Sequence, residues 1–530
     1  FEDAANDLEL PAPAGDMTLE RAVEESQRAI NYFFNNQFLE AKNLMTPYKC
    51  IISLKTRTTG LKKNTFGESL GKMVKKNNFD QYSEEEAHAE LCHAECLLLK
   101  SMLTFMEDET LSSFIKASIK IRSCYNSYKD CQQILVKSQW DKTSSKVHFE
   151  SGVKMGIGTF NLMISLLPSR VIKLLEFIGF SGNKQLGLND LIQGYRTDGL
   201  RQILCLMTLL GYNLIVLYVL SHQEGDIKVS EEILKKQLKK HPQGVWFLFF
   251  KGRLEFMKGN LDESVEWYKK SWKSQNLWPQ FHHVCFWELL LKTDWKEALV
   301  YCTHLLEGSR WSRTIYSYQK AALMCMMKEN LSSTDIVVID NLMKDVPKYK
   351  QRIAGKSLPL EKFALKKAER YFEQDHNLVL PVIELMYVWN LFKAMKNFNV
   401  ANKVYKLIEK ALKDINSNLK PSKYSTDNRA LILLLQGACL RQMKSPLQAL
   451  DCLETVISLH KDIVEDNYLV PYAIVELALI EWERGNREKA ILALEDAKKN
   501  YSGYSLESRL HFRIHTALTE FKTEMKNSKS

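Results

Sequence analysis

Apolar residues recur three and four apart along almost the whole chain, in stretches of about 12 to 18 residues separated by short polar breaks. The cleanest stretches are Leu19–Asn35, Asp262–Lys273, Leu360–Phe372, Val400–Ile415 and Asn486–Lys499. Each predicts an amphipathic helix, and no stretch alternates with the period of two that a half-buried strand requires. The fold class expected is therefore all-α.

The helices recur in pairs. In FLFFKGRLEFMKGNLDESVEWYKKSWKS (247–274), small Gly252 sits where a second helix must pass closely. A Lys-Gly-Asn turn follows, then a helix carrying small Ser264 and bulky Tyr268. The pattern returns in HHVCFWELLLKTDWKEALVYCTHLL, where Ala298 falls 34 residues after Ser264. It returns in LLLQGACLRQMKSPLQALDCLETVISL with Gly437, Ala449 and Leu453, and in IVELALIEWERGNREKAILALEDAKKNY with Ala478, Gly485, Ala490 and Leu494. AINYFFNNQFLEAKNLM near the start and MYVWNLFKAMKNFNVANKVYKLIEKAL are further copies, the latter more divergent. Paired helices with small residues at the contact and a short polar turn follow the logic of the tetratricopeptide repeat. Spacings of 41 (Ala449 to Ala490) and 48 (Ala401 to Ala449) mark degenerate copies with longer links.

The architecture expected is one continuous tetratricopeptide-type solenoid, a right-handed superhelix, over 81–521, with irregular extra helices in its middle. Repeats are placed near 245–278, 279–312, 382–415, 430–463 and 471–504. A first helical hairpin is expected over 17–50 and a basic loop over 51–80. Residues 1–16 and 522–530 are expected to be disordered.

Composition agrees with a turn-poor helical chain. Its 22 glycines and 12 prolines in 530 residues are few, against usual shares of roughly 7% and 5%. An apolar share of 45% with 26% charged residues excludes a disordered chain and a multi-span membrane protein. The eleven cysteines are odd in number and lie in apolar helical runs, the usage of a reducing compartment. The start, Phe-Glu-Asp-Ala-Ala, lacks the basic and apolar regions of a secretory signal, so none is expected there. A cytoplasmic location is the expectation, with nuclear or membrane-associated pools as alternatives.

The net charge of +10 is uneven. Residues 1–16 hold five acids and no base, whereas 51–80 hold seven bases against Glu68 and Asp80. That block lacks the interleaved aromatics of a nucleic-acid platform, so no nucleic-acid partner is expected. Ile203–Leu220 runs 18 residues without a formal charge, the length of a membrane span. Thr208, Gly211, Tyr212, Asn213 and Tyr218 favour a helix buried between layers, and peripheral contact with a membrane or lipid droplet stays open.

Segments that break the repeat pattern carry a family resemblance. SLLPSRVIKLLEFIGFSGNKQLGL (165–188), QFHHVCFWEL (280–289), IAGKSLPLEKFALKKAERYF (353–372) and SLESRLHFRI (505–514) resemble the tetratricopeptide repeat protein 39 family. That family is related to fungal proteins of inclusion-body clearance. The resemblance implies a non-enzymatic intracellular adaptor or scaffold that binds protein partners, with a link to lipid homeostasis or protein turnover. It supplies no catalytic residues. Between the first hairpin and EEEAHAELCHAECLLLK (84–100), relatives carry a further helix pair, where this chain has the basic stretch 51–80.

Chemistry has few candidates. Gly156-Ile-Gly158 would need glycine at 161 and a preceding strand to be a dinucleotide loop; Asn161 and a helical context exclude it. Those glycines are expected to let two helices pack closely. His88, Cys92, His93 and Cys96 share a helical face, but no second half with short paired spacing completes a zinc site. His282, His283 and Cys285 sit where a repeat's first helix packs. No nucleophile has an exposing loop, so neither enzyme activity, cofactor nor metal is expected.

In tetratricopeptide repeats, positions 2, 5, 9, 12 and 13 of each first helix line the groove. By that resemblance the candidate partner groove holds Trp246, Phe249, Arg253, Phe256 and Met257 in one repeat. The next repeat adds Gln280, His283, Trp287, Leu290 and Leu291, and the last adds Tyr472, Val475, Leu479, Trp482 and Glu483. Phe249, His283, Leu434 and Val475 at the fifth position replace the lysine or asparagine that grips acidic chaperone tails, so that use is not expected. An amphipathic helix of a partner suits the apolar surface, and so do the chain's own extra helices.

Overall fold

The computed structural model describes residues 18–45, 79–107, 111–141, 143–165, 182–222, 224–275, 280–308, 312–350, 358–417 and 422–527, which contain helices and no strand. In chain order the helices are α1 (Leu19–Phe34), α2 (Phe38–Met45), α3 (Glu84–Glu107), α4 (Leu111–Lys137), α5 (Thr143–Ser165), α6 (Lys184–Arg196) and α7 (Gln202–Gly211). A π-helical turn, Tyr212–Val216, and a last turn, Leu217–Leu220, continue α7. Next come α8 (Ile227–Lys240), α9 (Val245–Lys258), α10 (Leu261–Ser274), α11 (Gln280–Leu291), α12 (Trp295–Gly308), α13 (Arg313–Met326), α14 (Ser333–Asp345) and α15 (Pro359–Glu373). The series ends with α16 (Pro381–Val388), α17 (Phe398–Ser417), α18 (Ser425–Gln442), α19 (Pro446–Ser458), α20 (Leu469–Glu483), α21 (Arg487–Lys499) and α22 (Glu507–Asn527).

Where one continuous solenoid was expected, the chain divides into two compact units, Phe1–Gly211 with Gln237–Val245, and Tyr212–Lys236 with Trp246–Ser530. In the first, α1 starts at Thr18, whose side chain accepts from the Arg21 amide and satisfies one orphan donor of the first turn. The turn after α1 places Asn36 at φ 66°, and its Oδ1 accepts from the Val245 amide at 3.0 Å. Helix α3 opens with a capping box, the Glu86 amide donating to Ser83 Oγ and the Ser83 amide to Glu86 Oε2.

Leu91, Ala94, Cys124, Tyr128, Cys131, Ile134, Phe149 and Val153 from α3, α4 and α5 form one apolar core. Gly156 faces the Tyr128 ring so closely that an added Cβ would lie 1.8 Å from it. Gly158 meets Gly187 of α6, and a Cβ on Gly187 would stand 2.8 Å from the Gly158 carbonyl oxygen. The glycine pair thus serves the close helix packing expected of it. Arg201 ties the unit together with a fork on Glu95, at 2.9 and 3.1 Å.

The second unit holds the expected repeats as helix pairs α9/α10, α11/α12, α16/α17, α18/α19 and α20/α21. Gly252 lets Tyr268 close in: a Cβ there would stand 2.9 Å from the ring. Gly437 does the same for Leu453. Two expectations change. The divergent copy is broken: α16 stops at Val388, Asn390 takes φ 65°, and a 3₁₀ turn, Leu391–Ala394, follows. The end is ordered helix as far as Asn527, where 522–530 was expected to be disordered, because Phe521 is inside the unit. Residues 1–16 and 51–78 of the expected tail and basic loop lie outside the described residues, and Phe79–Gln81 is a 3₁₀ turn.

The longer link before α20 is not loose. Asp427 of α18 accepts from the Val464, Glu465 and Asp466 amides at 2.8–2.9 Å. Asp466 in turn meets Lys367 of α15 at 2.8 Å and Arg370 more closely still. Lys367 also reaches Glu384 at 2.6 Å, and the Tyr468 hydroxyl donates to the same carboxylate. Burial alone would raise the Asp466 carboxyl, but Lys367 and Arg370 outweigh it and hold it below the usual aspartate range.

Candidate partner groove

The six groove candidates fall on three helices of the second unit, and the chain itself covers several. Phe256 has no exposed surface and Trp287 has 4%. Arg253 is buried, its Nε donating to the Leu214 carbonyl oxygen at 2.9 Å and its guanidinium lying 4.4 Å from the Tyr218 ring centre. The π-turn and the last turn beyond α7 thus occupy the inner side of α9. Trp287 lies 5.2 Å from Trp389, just past α16. Trp482 stacks flat on Phe521 of α22, 3.7 Å away and 2° from parallel. Trp246 and Phe249 are half-buried, Phe249 resting against Tyr268 at 5.6 Å. Phe256 and Trp287, expected on a partner face, are therefore interior packing, as are Met257, Leu290, Leu291, Tyr472, Val475 and Leu479. The His283 side chain, with those of Gln280, His282 and Cys285, lies outside the described residues.

Glu288 shows what the motif around Trp287 does. Its carboxyl is fully buried and close to Ser264 Oγ, and Ser264 Oγ also donates to the Gly252 carbonyl oxygen at 2.6 Å. One hydroxyl proton cannot serve both oxygens. Burial pushes the Glu288 carboxyl well up, more than Ser264 and Arg253 offset. The link joins the first repeat pair to the second.

The former metal candidates have other partners. His88 Nε2 contacts the Ser145 carbonyl oxygen at 3.2 Å, and burial, then Arg201, lowers its pKa to about 4. Cys92 Sγ accepts from Arg201 at 3.7 Å, and burial raises its thiol. Among the described residues no three His, Cys, Asp or Glu side chains are grouped to hold a metal ion.

A polar cavity that no sequence reading singled out opens on the same face, at positions 9, 12 and 13 of α18. It is lined by Tyr387, Lys393, Ala438, Arg441, Gln442, Glu476, Leu479 and Arg513, with about 10 Å³ of free space. The break after α16 puts Lys393 there, held by the Ser221 carbonyl oxygen. Glu476 of α20 takes Arg441 at 2.7 Å and Arg513 of α22 at 3.2 Å. Burial would raise Glu476, but those two guanidiniums hold it below the usual glutamate range. Burial, then Arg513 and Arg441, pushes the Lys393 ammonium well below its ordinary pKa. The groove positions applied to α18 name Arg441, and SLESRLHFRI contains Arg513; both read as solvated charges without the fold.

Residues 51–443 match the family described as Iml2/Tetratricopeptide repeat protein 39. Tetratricopeptide repeat protein ttc-39B of Caenorhabditis elegans is 32% identical over 545 residues, covering 94% of this chain and 92% of that one. Among solved structures, yeast Tom70 aligns at 11% identity and a TM-score of 0.28, covering 96% of each chain. A tetratricopeptide repeat protein from Parabacteroides merdae aligns at 12% identity and a TM-score of 0.25, covering 55% of this chain and 93% of that one.

Proposed function

Because the chain belongs to the Iml2/Tetratricopeptide repeat protein 39 family, we propose that it is a non-enzymatic intracellular scaffold that holds protein partners along its repeat helices. The carrying observation is the run of helix pairs in the second unit, whose first helices keep Trp246, Phe249 and Trp482 part-exposed, with a polar cavity lined by residues of α18 and α20 in the same unit. An aromatic surface with one polar spot suits an amphipathic helix or an extended peptide of a partner. The family link extends the proposal to lipid homeostasis or protein turnover in the cytoplasm.

The test is crosslinking affinity purification from cells with a Trp246→Ala/Phe249→Ala variant. Partners should drop out while the melting temperature stays within about 5 °C, since both side chains are only half-buried. An unchanged partner list would remove these aromatics from the binding face. Trp287→Ala serves as the control for packing and should instead lower stability by about 3–5 kcal/mol.

Contact with a membrane or lipid droplet is the second reading, favoured by one helix, Gln202–Val219, long and apolar enough to cross a bilayer, although 56% of it is buried. Leu204 is 46% exposed, so Leu204→Glu should release the protein from sedimenting membranes if this helix anchors it. Unchanged sedimentation would exclude that anchor.

A further inference from the structure

Three cations line the cavity between α16, α18, α20 and α22: Lys393, Arg441 and Arg513. Two carboxylates answer them. Glu476 takes one contact from each arginine, and Glu483 at the rim, 44% exposed, takes Arg441 Nε at 3.1 Å. Glu224, on the side of Lys393, is engaged by Lys396 at 2.7 Å. Lys393, whose ammonium form burial and the two guanidiniums disfavour, is thus the basic group without a carboxylate of its own. Arg513 is 7% exposed, and its Nε has no hydrogen-bond partner. A buried, charged donor left unmade is costly, and such groups ordinarily find an acceptor.

We propose that this cavity is a carboxylate-binding subsite, in which one oxygen of an acidic group on a peptide partner is taken up by Lys393, Arg441 and Arg513. This deepens the scaffold reading above and rests on it. The size of the cavity sets how much of the group enters. About 10 Å³ holds about one oxygen-sized atom, so one oxygen enters and the rest of the acidic group stays at the rim. Arg441 divides its donors between two carboxylates, Glu476 at 2.7 Å and Glu483 at 3.1 Å, so the lining already pairs guanidinium with carboxylate. Lys393, Arg441 and Gln442 keep part of their surface open, so the site is reached from the repeat face. An anion there adds charge where Lys393 stands beside two guanidiniums, and so restores its ammonium form.

The test uses the full chain and ¹³C-acetate, read by the broadening of the acetate resonance, with inorganic phosphate read by ³¹P in a parallel titration. Wild type should broaden acetate. Lys393→Gln, which removes one charge and leaves Glu476 paired, should weaken the effect about tenfold. Arg441→Lys, which keeps the charge but loses the fork, should weaken it at least threefold and guards against a folding defect in the first variant. Equal broadening by wild type and Lys393→Gln, or none by either, would mean that the cavity holds water, and phosphate broadening without acetate would make it a phosphate site; each overturns the proposal. Neither titration involves a partner, so failure here leaves the groove test intact. If acetate binds but Lys393→Gln captures every partner that wild type does, the peptide assignment falls.

Discussion

At the residue scale, a single methyl group separates function of backbone from loss of it. Alanine at 156 would place Cβ 1.8 Å from the Tyr128 ring, and Gly156→Ala should cost about 1–3 kcal/mol or more in urea unfolding because both helices must shift. His88 is the acid-sensitive point. In the folded chain its pKa is lowered to about 4, whereas the unfolded chain takes up that proton near about 6.5. Stability from this group is therefore present at pH 7 and is lost as the pH falls from about 6.5 to about 4, by about 2 kcal/mol at pH 5. His88→Gln should flatten that part of the pH dependence; an unchanged slope would place the titration elsewhere. The glycines of 156–158 were legible in sequence because a failed loop motif on an apolar helix leaves packing as the reason for them. Arg441, Glu476 and Arg513 were not, because charges at helical spacing look alike on a solvated face and in a buried pair.

At the element scale, α22 closes the repeat series. A terminal repeat needs a cover for the face that has no neighbour, and α22 supplies it with buried Leu510, Ile514, Ala517 and Phe521. Its polar end, Lys522 to Asn527, reads as tail in sequence, and only the stack of Phe521 on Trp482 shows that the helix belongs inside. Phe521→Ala should destabilise the protein by about 3 kcal/mol, seen as an earlier melting transition and quenched change at Trp482. The helix pairs themselves were legible because their small and bulky positions recur in register. The break after α16 was not, since Asn390 at positive φ is fixed by the Tyr218 carbonyl oxygen, 172 residues away, at 2.8 Å.

At the scale of the whole molecule, the helical-repeat chain divides into two compact units, a division that periodicity does not announce. Periodicity reports which helix follows which and carries no measure of where contacts become sparse. Calorimetry should show unfolding that is not two-state. Gly156→Ala should move one transition and Trp287→Ala the other; a single transition shifted by both would mean that the units unfold together.

The link between α19 and α20 has a consequence for how such a chain can change. Repeat proteins are commonly treated as modular, each copy open to being trimmed, exchanged or regularised. Here the extra residues that stretch the spacing to 41 include Asp466, on which Lys367 and Arg370 of a distant helix depend. Shortening the link toward the regular period would leave two buried cations without that counter-ion. The irregularity has become a dependency, so this repeat cannot be swapped for a regular one, and the order of its neighbours is fixed with it.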